Sequence, residues 1–244
     1  MDTTIAKGLR VLEVLAASDQ PRGISEIARE IAMNKSNVQR IVGTLHALGY
    51  VSRDPRTARY AATCRMWEFG IRVLHRNHVR RAAQPYLRAL FEKLNESVFL
   101  CVPDSDDVLY LNKMESASPV RISARIGSRV PAIRTASGKA ILTYLPAEAI
   151  KRAVVAARDR FRIEDIDMSR LLEEFATIRK DGFAVSESGY RPGVSSIAAA
   201  ILARDGTVAG SIAVTGPIER MDAPKLTRFA PEIVNAATRI SEAL

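Results

Sequence analysis

The sequence predicts an α+β chain made of two unlike parts, and three observations carry that prediction. Residues 24–62 hold two short helical patterns split by a tight turn and followed by a basic hairpin. Beyond Asn95, strand-like and helical stretches alternate, with turn formers between them. Helical patterns stand at both ends, so helices are expected to pack on an antiparallel sheet. A chain of 244 residues holds one large or two ordinary domains that bury cores without disulfides or metals.

Charge is unevenly placed. The whole chain carries +9; residues 1–81 have 14 Lys/Arg against 7 Asp/Glu, and the remainder has 22 against 20. A basic first third points to a polyanionic partner. A membrane surface would attract the same charge. However, no segment approaches the ~18 consecutive apolar residues of a spanning helix, and the first residues lack a signal-peptide core. Cys64 and Cys101 have no paired spacing, which argues against a disulfide scaffold or a cysteine zinc cluster and makes the cytoplasm the expected location.

Ile5 to Ala17 predicts a first helix, with Ile5, Leu9, Leu12 and Ala16 on one face, ended by the turn formers Ser18 to Gly23. Ile24 to Ile31 is a second. Ala32-Met33-Asn34 interrupts, and Lys35 to Leu48 resumes the pattern through Val38, Ile41, Val42 and Leu45. Small Ala28 with Ile27, Ile31, Val38 and Ile41 lets two helices cross steeply, the helix-turn-helix arrangement that lays its second helix in the DNA major groove. Tyr50 to Ala62, turning at Asp54-Pro55-Arg56-Thr57, then forms a wing. From Arg65 a helical pattern runs to Asn95 with Pro85 inside it, so two helices or one kinked helix are expected. A partner subunit, rather than a fold-back of the chain, is the expected cover for Trp67 and Phe69.

The second part reads as strands at Val98–Val102, Val108–Lys113 and Val120–Ile126. Helices follow at Ser137–Leu145, Ala147–Ala157 and Arg170–Lys180, the last capped by Ser169. Strands return at Phe183–Glu187, Ser195–Leu202 and Val208–Thr215, the last two joined at Asp205-Gly206, before a closing helix from Asp222.

With both parts in view, the chain resembles the IclR family of bacterial transcriptional regulators. The likeness rests on Lys7-Gly8-Leu9, Ser25-Glu26-Ile27-Ala28, Lys35-Ser36 with Arg40, Thr44-Leu45 and Leu48-Gly49-Tyr50-Val51. The later half adds Ile126 to Pro131, Thr135-Ala136-Ser137-Gly138-Lys139-Ala140, Ile178 to Phe183, and Gly193 to Ala199. Two positions depart from the family pattern: Ala32 replaces the usual turn glycine, and Ala200 the usual proline. The resemblance implies a winged helix-turn-helix over 1–65, a linker and dimerisation helix over 66–81, and a GAF-like effector-binding domain over 82–244.

On the DNA side, Asn34 is the expected N-cap, which places Lys35, Ser36 and Asn37 in the first turn of the recognition helix, with Gln39 and Arg40 next on its exposed side. Arg40 suits guanine, and Gln39 or Asn37 suits adenine. Arg53, Arg56 and Arg59 on the wing are expected at phosphates or the minor groove, with plain solvent exposure the alternative for Arg56. For the ligand, the resemblance implies a pocket at Ile122, Val130, Ala136, Ser137, Glu187, Val194, Ser196, Ala213 and Thr215. Apolar walls with hydroxyls at a helix start, where Ser137 is the expected cap, suit a small carboxylate, aromatic acids included. Arg134 is added as a cationic partner, against the reading of a surface arginine. Val98, Phe99 and Leu100 are expected in the core.

Other chemistry is poorly supported. Ser137-Gly138-Lys139 lacks the upstream glycine of a phosphate loop, since Ile133 stands there. His75 and His78 lack further ligands for a metal, and no histidine follows Ser195 or Ser196 to complete an acyl-transfer triad. No cofactor, metal or catalytic residue is therefore expected. The expected protein is a homodimer or dimer of dimers that binds operator DNA. An organic acid would alter its DNA affinity or its contact with RNA polymerase. The competing reading is a metabolite-processing enzyme domain tethered to DNA.

Overall fold

The computed structural model describes residues 3–161 and 166–244. The chain divides into two compact units, Met1–Arg76 and Asn77–Leu244, so the division falls inside the expected connector.

In the first unit, α1 (Thr3–Ala16), α2 (Ile24–Glu30) and α3 (Lys35–Ala47) precede the wing strands β1 (Val51–Arg53) and β2 (Tyr60–Ala62), and α4 (Arg65–Arg76) follows. Val11, Leu12 and Leu15 of α1 meet Ile27 and Ala28 of α2 and Val38, Ile41 and Val42 of α3 in one buried cluster. These are the positions that helical spacing turns inward. The turn between α2 and α3 is left-handed at Ala32, with φ at 52°, the conformation a glycine would hold without strain. In the wing, β1 and β2 pair antiparallel from Val51↔Ala62 to Arg53↔Tyr60. Asp54 closes the turn by accepting from the amides of Thr57 and Arg56, which holds its carboxyl below the usual range. Arg22 pairs with Tyr60 as a third short rung, tying the wing to the chain entering α2.

The second unit runs α5 (His78–Leu94), β3 (Ser97–Asp104), β4 (Asp107–Met114), β5 (Arg129–Pro131), a single 3₁₀ turn (Ala132–Arg134), α6 (Ala136–Leu142), α7 (Ala147–Phe161) and α8 (Met168–Asp181). It ends with β6 (Ala184–Glu187), β7 (Val194–Leu202), β8 (Val208–Pro217) and α9 (Ala223–Glu242). The six strands form one antiparallel sheet in the order β5-β4-β3-β8-β7-β6. Its two faces differ in side-chain size. Val98, Leu100, Ile197, Ile201, Ile212 and Val214 are buried on the face that α5 and α9 cover. The opposite face carries mostly small residues and receives α6.

The connector forms two helices, one of the two expected arrangements; it breaks at Asn77, whose side chain accepts from the Arg80 amide and caps α5, while Pro85 sits inside α5 without ending it. Three expectations about elements are corrected. Residues 120–126 form no strand, because β5 takes the outer edge of β4 at residues 107–109 and Gly127 and Ser128 bond Tyr110 next to it. Asp167, not Ser169, caps α8, accepting from the amides of Ser169 and Arg170. Thr135, not Ser137, caps α6, accepting from the Gly138 amide at 3.1 Å.

An ion pair with a buried carboxylate and a half-buried guanidinium fixes the turn after β8. Glu96 is only 3% exposed and takes both Nε and Nη2 of Arg220, at 2.6 and 2.9 Å. Removing Arg220 leaves the Glu96 charge buried without its partner, although the guanidinium side of the pair is partly open to solvent. Arg220→Met is accordingly expected to lower the stability of this unit by about 1–3 kcal/mol, measurable as a fall in the urea midpoint.

Candidate functional site

On α3, Lys35, Ser36, Gln39 and Arg40 are exposed and Asn37 is half-buried, while Val38, Ile41 and Val42 are buried opposite them. Asn34 has the extended backbone of an N-cap, but its side chain makes no cap bond; the turn is closed by its carbonyl, which accepts from Asn37 and Val38. His46 donates from Nδ1 to the Val51 carbonyl at 2.9 Å and locks α3 to the wing, a role its surface position does not announce. Arg53 lies over the Tyr60 ring, with its guanidinium carbon 6.0 Å from the centroid, and Arg56 is exposed at the wing tip.

Arg59 is placed differently from its neighbours. Its Nη2 donates to both oxygens of Glu26, at 2.5 and 2.6 Å, and its Nε to the Pro21 carbonyl at 2.8 Å. It is therefore engaged in holding the wing against the start of α2. Glu26 also accepts from the Gly23 amide; that bond and Arg59 hold its carboxyl below the usual range.

The second unit contains a cavity of about 370 Å³ beside α6. Strand register explains where it lies. On the small-residue face, Ser186, Ser196, Thr215 and Ser97 are cross-strand neighbours in one row over β6, β7, β8 and β3. The next row is Ala184, Ala198, Ala213 and Phe99. The alanines leave room for α6 to lie directly on the sheet, and the hydroxyl row falls just beyond it, where the cavity opens. Gly138 completes the fit, because a side chain there would overlap the Ala132 backbone.

Ser186, Ser196 and Thr215 line the cavity. The fourth member of the row, Ser97, is fully buried; it donates to the Ile122 carbonyl at 2.8 Å and accepts from the Ser116 amide at 3.2 Å. It thereby pins the strandless segment that contributes Ile122, Ser123, Ala124 and Arg125 to the wall. Phe99 and Tyr110 form an aromatic pair at the cavity, with centroids 5.1 Å apart and planes tilted 59°. Burial pushes the Tyr110 phenol well above its ordinary value, so it stays a neutral donor.

Of the residues singled out by sequence, the cavity brings together Ile122, Val130, Arg134, Ser137, Val194, Ser196 and Thr215. Ala136 and Ala213 are packed in the core instead, on the two sides of the α6–sheet contact. Glu187 is exposed because strand alternation turns its neighbour Ser186 inward. Arg134 is half-buried and is no simple surface residue: its Nε donates to the Gly189 carbonyl, and its own carbonyl accepts from Ser186 Oγ. It clamps the loop that carries Tyr190 and Arg191 to the cavity. Sequence reasoning missed Tyr110, Ser186, Tyr190, Arg125, Arg129 and Arg191; Phe99 is buried in the core, as expected, and also reaches the cavity. Strand pairing brings Phe99, Tyr110, Arg129 and Ser186 to the wall, and loops held by side chains bring Arg125, Tyr190 and Arg191.

Two comparisons decide the family. The IclR helix-turn-helix model matches residues 4–55, and the model of the C-terminal domain of IclR bacterial transcriptional regulators matches residues 71–242. The chain belongs to the IclR family. The KdgR regulator of Escherichia coli strain K12 is 27% identical over 242 residues, covering 98% of this chain and 92% of that protein. The KipR regulator of Bacillus subtilis strain 168 is 30% identical over 221 residues, covering 89% and 88%. An IclR homologue from Microbacterium hydrocarbonoxydans, solved with 4-hydroxybenzoate, shares the fold at a TM-score of 0.80 and 21% identity over 99% of both chains. This IclR-family chain is thus a DNA-binding transcriptional regulator and not an enzyme.

Burial also separates the two thiols. Cys101 is fully buried beside Ser137 and its thiol is pushed up to about 12, whereas Cys64 is exposed. A chromogenic disulfide reagent is expected to titrate one thiol in the native protein and two in denaturant. Rapid reaction of both in the native protein would contradict the packing around the cavity.

Proposed function

We propose that this regulator reads a palindromic operator with Lys35, Ser36, Asn37, Gln39 and Arg40 and answers to a small organic acid held in the cavity beside α6. The observation that carries the DNA reading is the division of α3 into a buried Val38-Ile41-Val42 stripe and an exposed polar face that includes Arg40. Arg53 and Arg56 extend the basic surface along the wing to phosphates. Arg59 supports this surface from behind through Glu26. A guanidinium fork on guanine discriminates by roughly 1–3 kcal/mol. Arg40→Ala is expected to erase the preference for operator over random duplex in competition binding, with the far-UV spectrum unchanged. Undiminished preference would refute the role.

One such domain binds DNA modestly, so two half-sites on a dimer are part of the proposal. Trp67, Phe69 and Val73 are 67, 54 and 71% exposed on α4, an apolar surface that a second copy of the chain would cover. Pairing of dimers and contact with RNA polymerase complete the proposed assembly.

The ligand reading rests on the cavity. A 150 Å³ apolar cavity is enough for benzene, so about 370 Å³ accommodates a ring with substituents. The Phe99–Tyr110 pair offers a wall for that ring, and the Ser186–Ser196–Thr215 row offers hydroxyls. Arg125, Arg129, Arg134 and Arg191 surround the space, with no Asp or Glu among the described lining residues. An aromatic carboxylate fits this chemistry, and the 4-hydroxybenzoate held by the Microbacterium homologue supports the class.

A ligand that binds only the folded state raises the melting temperature. In a panel of hydroxylated benzoates, aliphatic acids and their neutral amides, an aromatic acid is expected to give the largest shift and its amide little. A panel without any shift would remove the effector reading. Ligand occupancy is proposed to bias half-site spacing through residues 66–81. Operator footprints that are identical with and without saturating ligand would remove that coupling.

A further inference from the structure

A glycine inside a helix weakens it relative to alanine, so its presence calls for a reason. In this protein several glycines have an internal one, such as Gly138 against the Ala132 backbone and Gly216 against Glu96. Gly43 has none. It lies in the interior of α3 (Lys35–Ala47), and a Cβ added there would meet nothing within 4 Å. Gly8 and Gly70 share this openness, but their neighbours are the exposed apolar residues Ile5 and Leu9, and Trp67, Phe69 and Val73. The surroundings of Gly43 are polar.

Helical spacing puts Gly43 on the face of Ser36, Gln39 and Arg40, seven, four and three residues earlier, with the buried Val38-Ile41-Val42 stripe on the other side. The residues around it leave that half of the face low. Thr44 turns its hydroxyl back to the Arg40 carbonyl at 3.1 Å, so it lies along the helix; the His46 ring is drawn to the Val51 carbonyl of the wing, and Ala47 ends the face with a methyl group. Long polar side chains thus occupy the first half of the exposed face, and a flat backbone patch occupies the second.

We propose that DNA fills the space above Gly43: the duplex touches the backbone of α3 there, and this close approach sets the depth at which Gln39 and Arg40 reach the base edges. Glycine is the residue that lets a backbone come this near a ligand. Any side chain at 43 lifts the second half of α3 out of the groove and shifts the reading residues away from their bases. Loose, phosphate-based binding to random duplex tolerates that displacement, because it requires no fixed depth. The inference rests on the reading of α3 as the groove-entering helix.

The test uses the full chain. An operator is first enriched from a random duplex pool with the unaltered protein, and Gly43→Ala and Gly43→Leu are then compared on that operator and on random duplex. Alanine and leucine are both good helix formers, so both variants are expected to melt several degrees higher in the first unit. Operator affinity is expected to fall about tenfold or more for Gly43→Ala and further for Gly43→Leu, with random-duplex affinity changed by about twofold at most. Operator affinities within about twofold of the unaltered protein for both variants would overturn the proposal. Equal losses for alanine and leucine would also overturn it, since a stiffer helix and not a steric contact would then be responsible. A pool that yields no enriched sequence with the unaltered protein would instead overturn the DNA reading of α3 itself, and this inference with it.

Discussion

The close seating of α6 on one face of the sheet is the constraint on which the second unit depends. Ala184, Ala198 and Ala213 stand in one cross-strand row, and Ala136 and Ala140 stand on the helix that meets them. Side chains this small bring helix and strands together without a gap, and dense packing of that kind resists displacement. The seat fixes where α6 begins, and so places Thr135, Ser137 and the preceding 3₁₀ turn at the rim of the cavity. Two residues further along each strand the small apolar row gives way to hydroxyls, and the packed contact gives way to a cavity. Core and binding space are thus consecutive rows of the same register.

The cavity wall is assembled from segments with very different local order. Thr215 and Ser196 lie on paired strands, whereas Ile122 to Arg125 belong to a stretch without strand or helix. That stretch is held by Ser97, whose side chain satisfies one carbonyl and one amide that no strand partner supplies. Across the cavity, Arg134 holds the loop with Tyr190 and Arg191 through the Gly189 carbonyl. A buried serine and a half-buried arginine therefore position parts of the wall that backbone pairing does not reach. Such tethers are fewer and more local than the bonds of a strand ladder.

The first unit follows a simpler rule. Its three helices pack through the residues that period 3.6 turns inward, so the exposed face of α3 is legible in the sequence. Arg59 shows the limit of that legibility. Three wing arginines look alike in sequence, yet Glu26 and Pro21 lie within reach of one of them only. A contact between residues 33 apart in sequence has no local signature.

The sequence by itself determined the order of the elements, the division into a helix-turn-helix part and a sheet part, the family motifs, and the polar face of α3. Each of these is encoded by spacing within a dozen residues, where helical and strand periods act directly on the chain. Tertiary structure alone decided that Ser186 rather than Glu187 faces the cavity, that Phe99 and Tyr110 pair at its wall, and that residues 120–126 form no strand. All three depend on which strand lies beside which and in what register, a long-range choice set by packing the whole sheet against α5, α6 and α9.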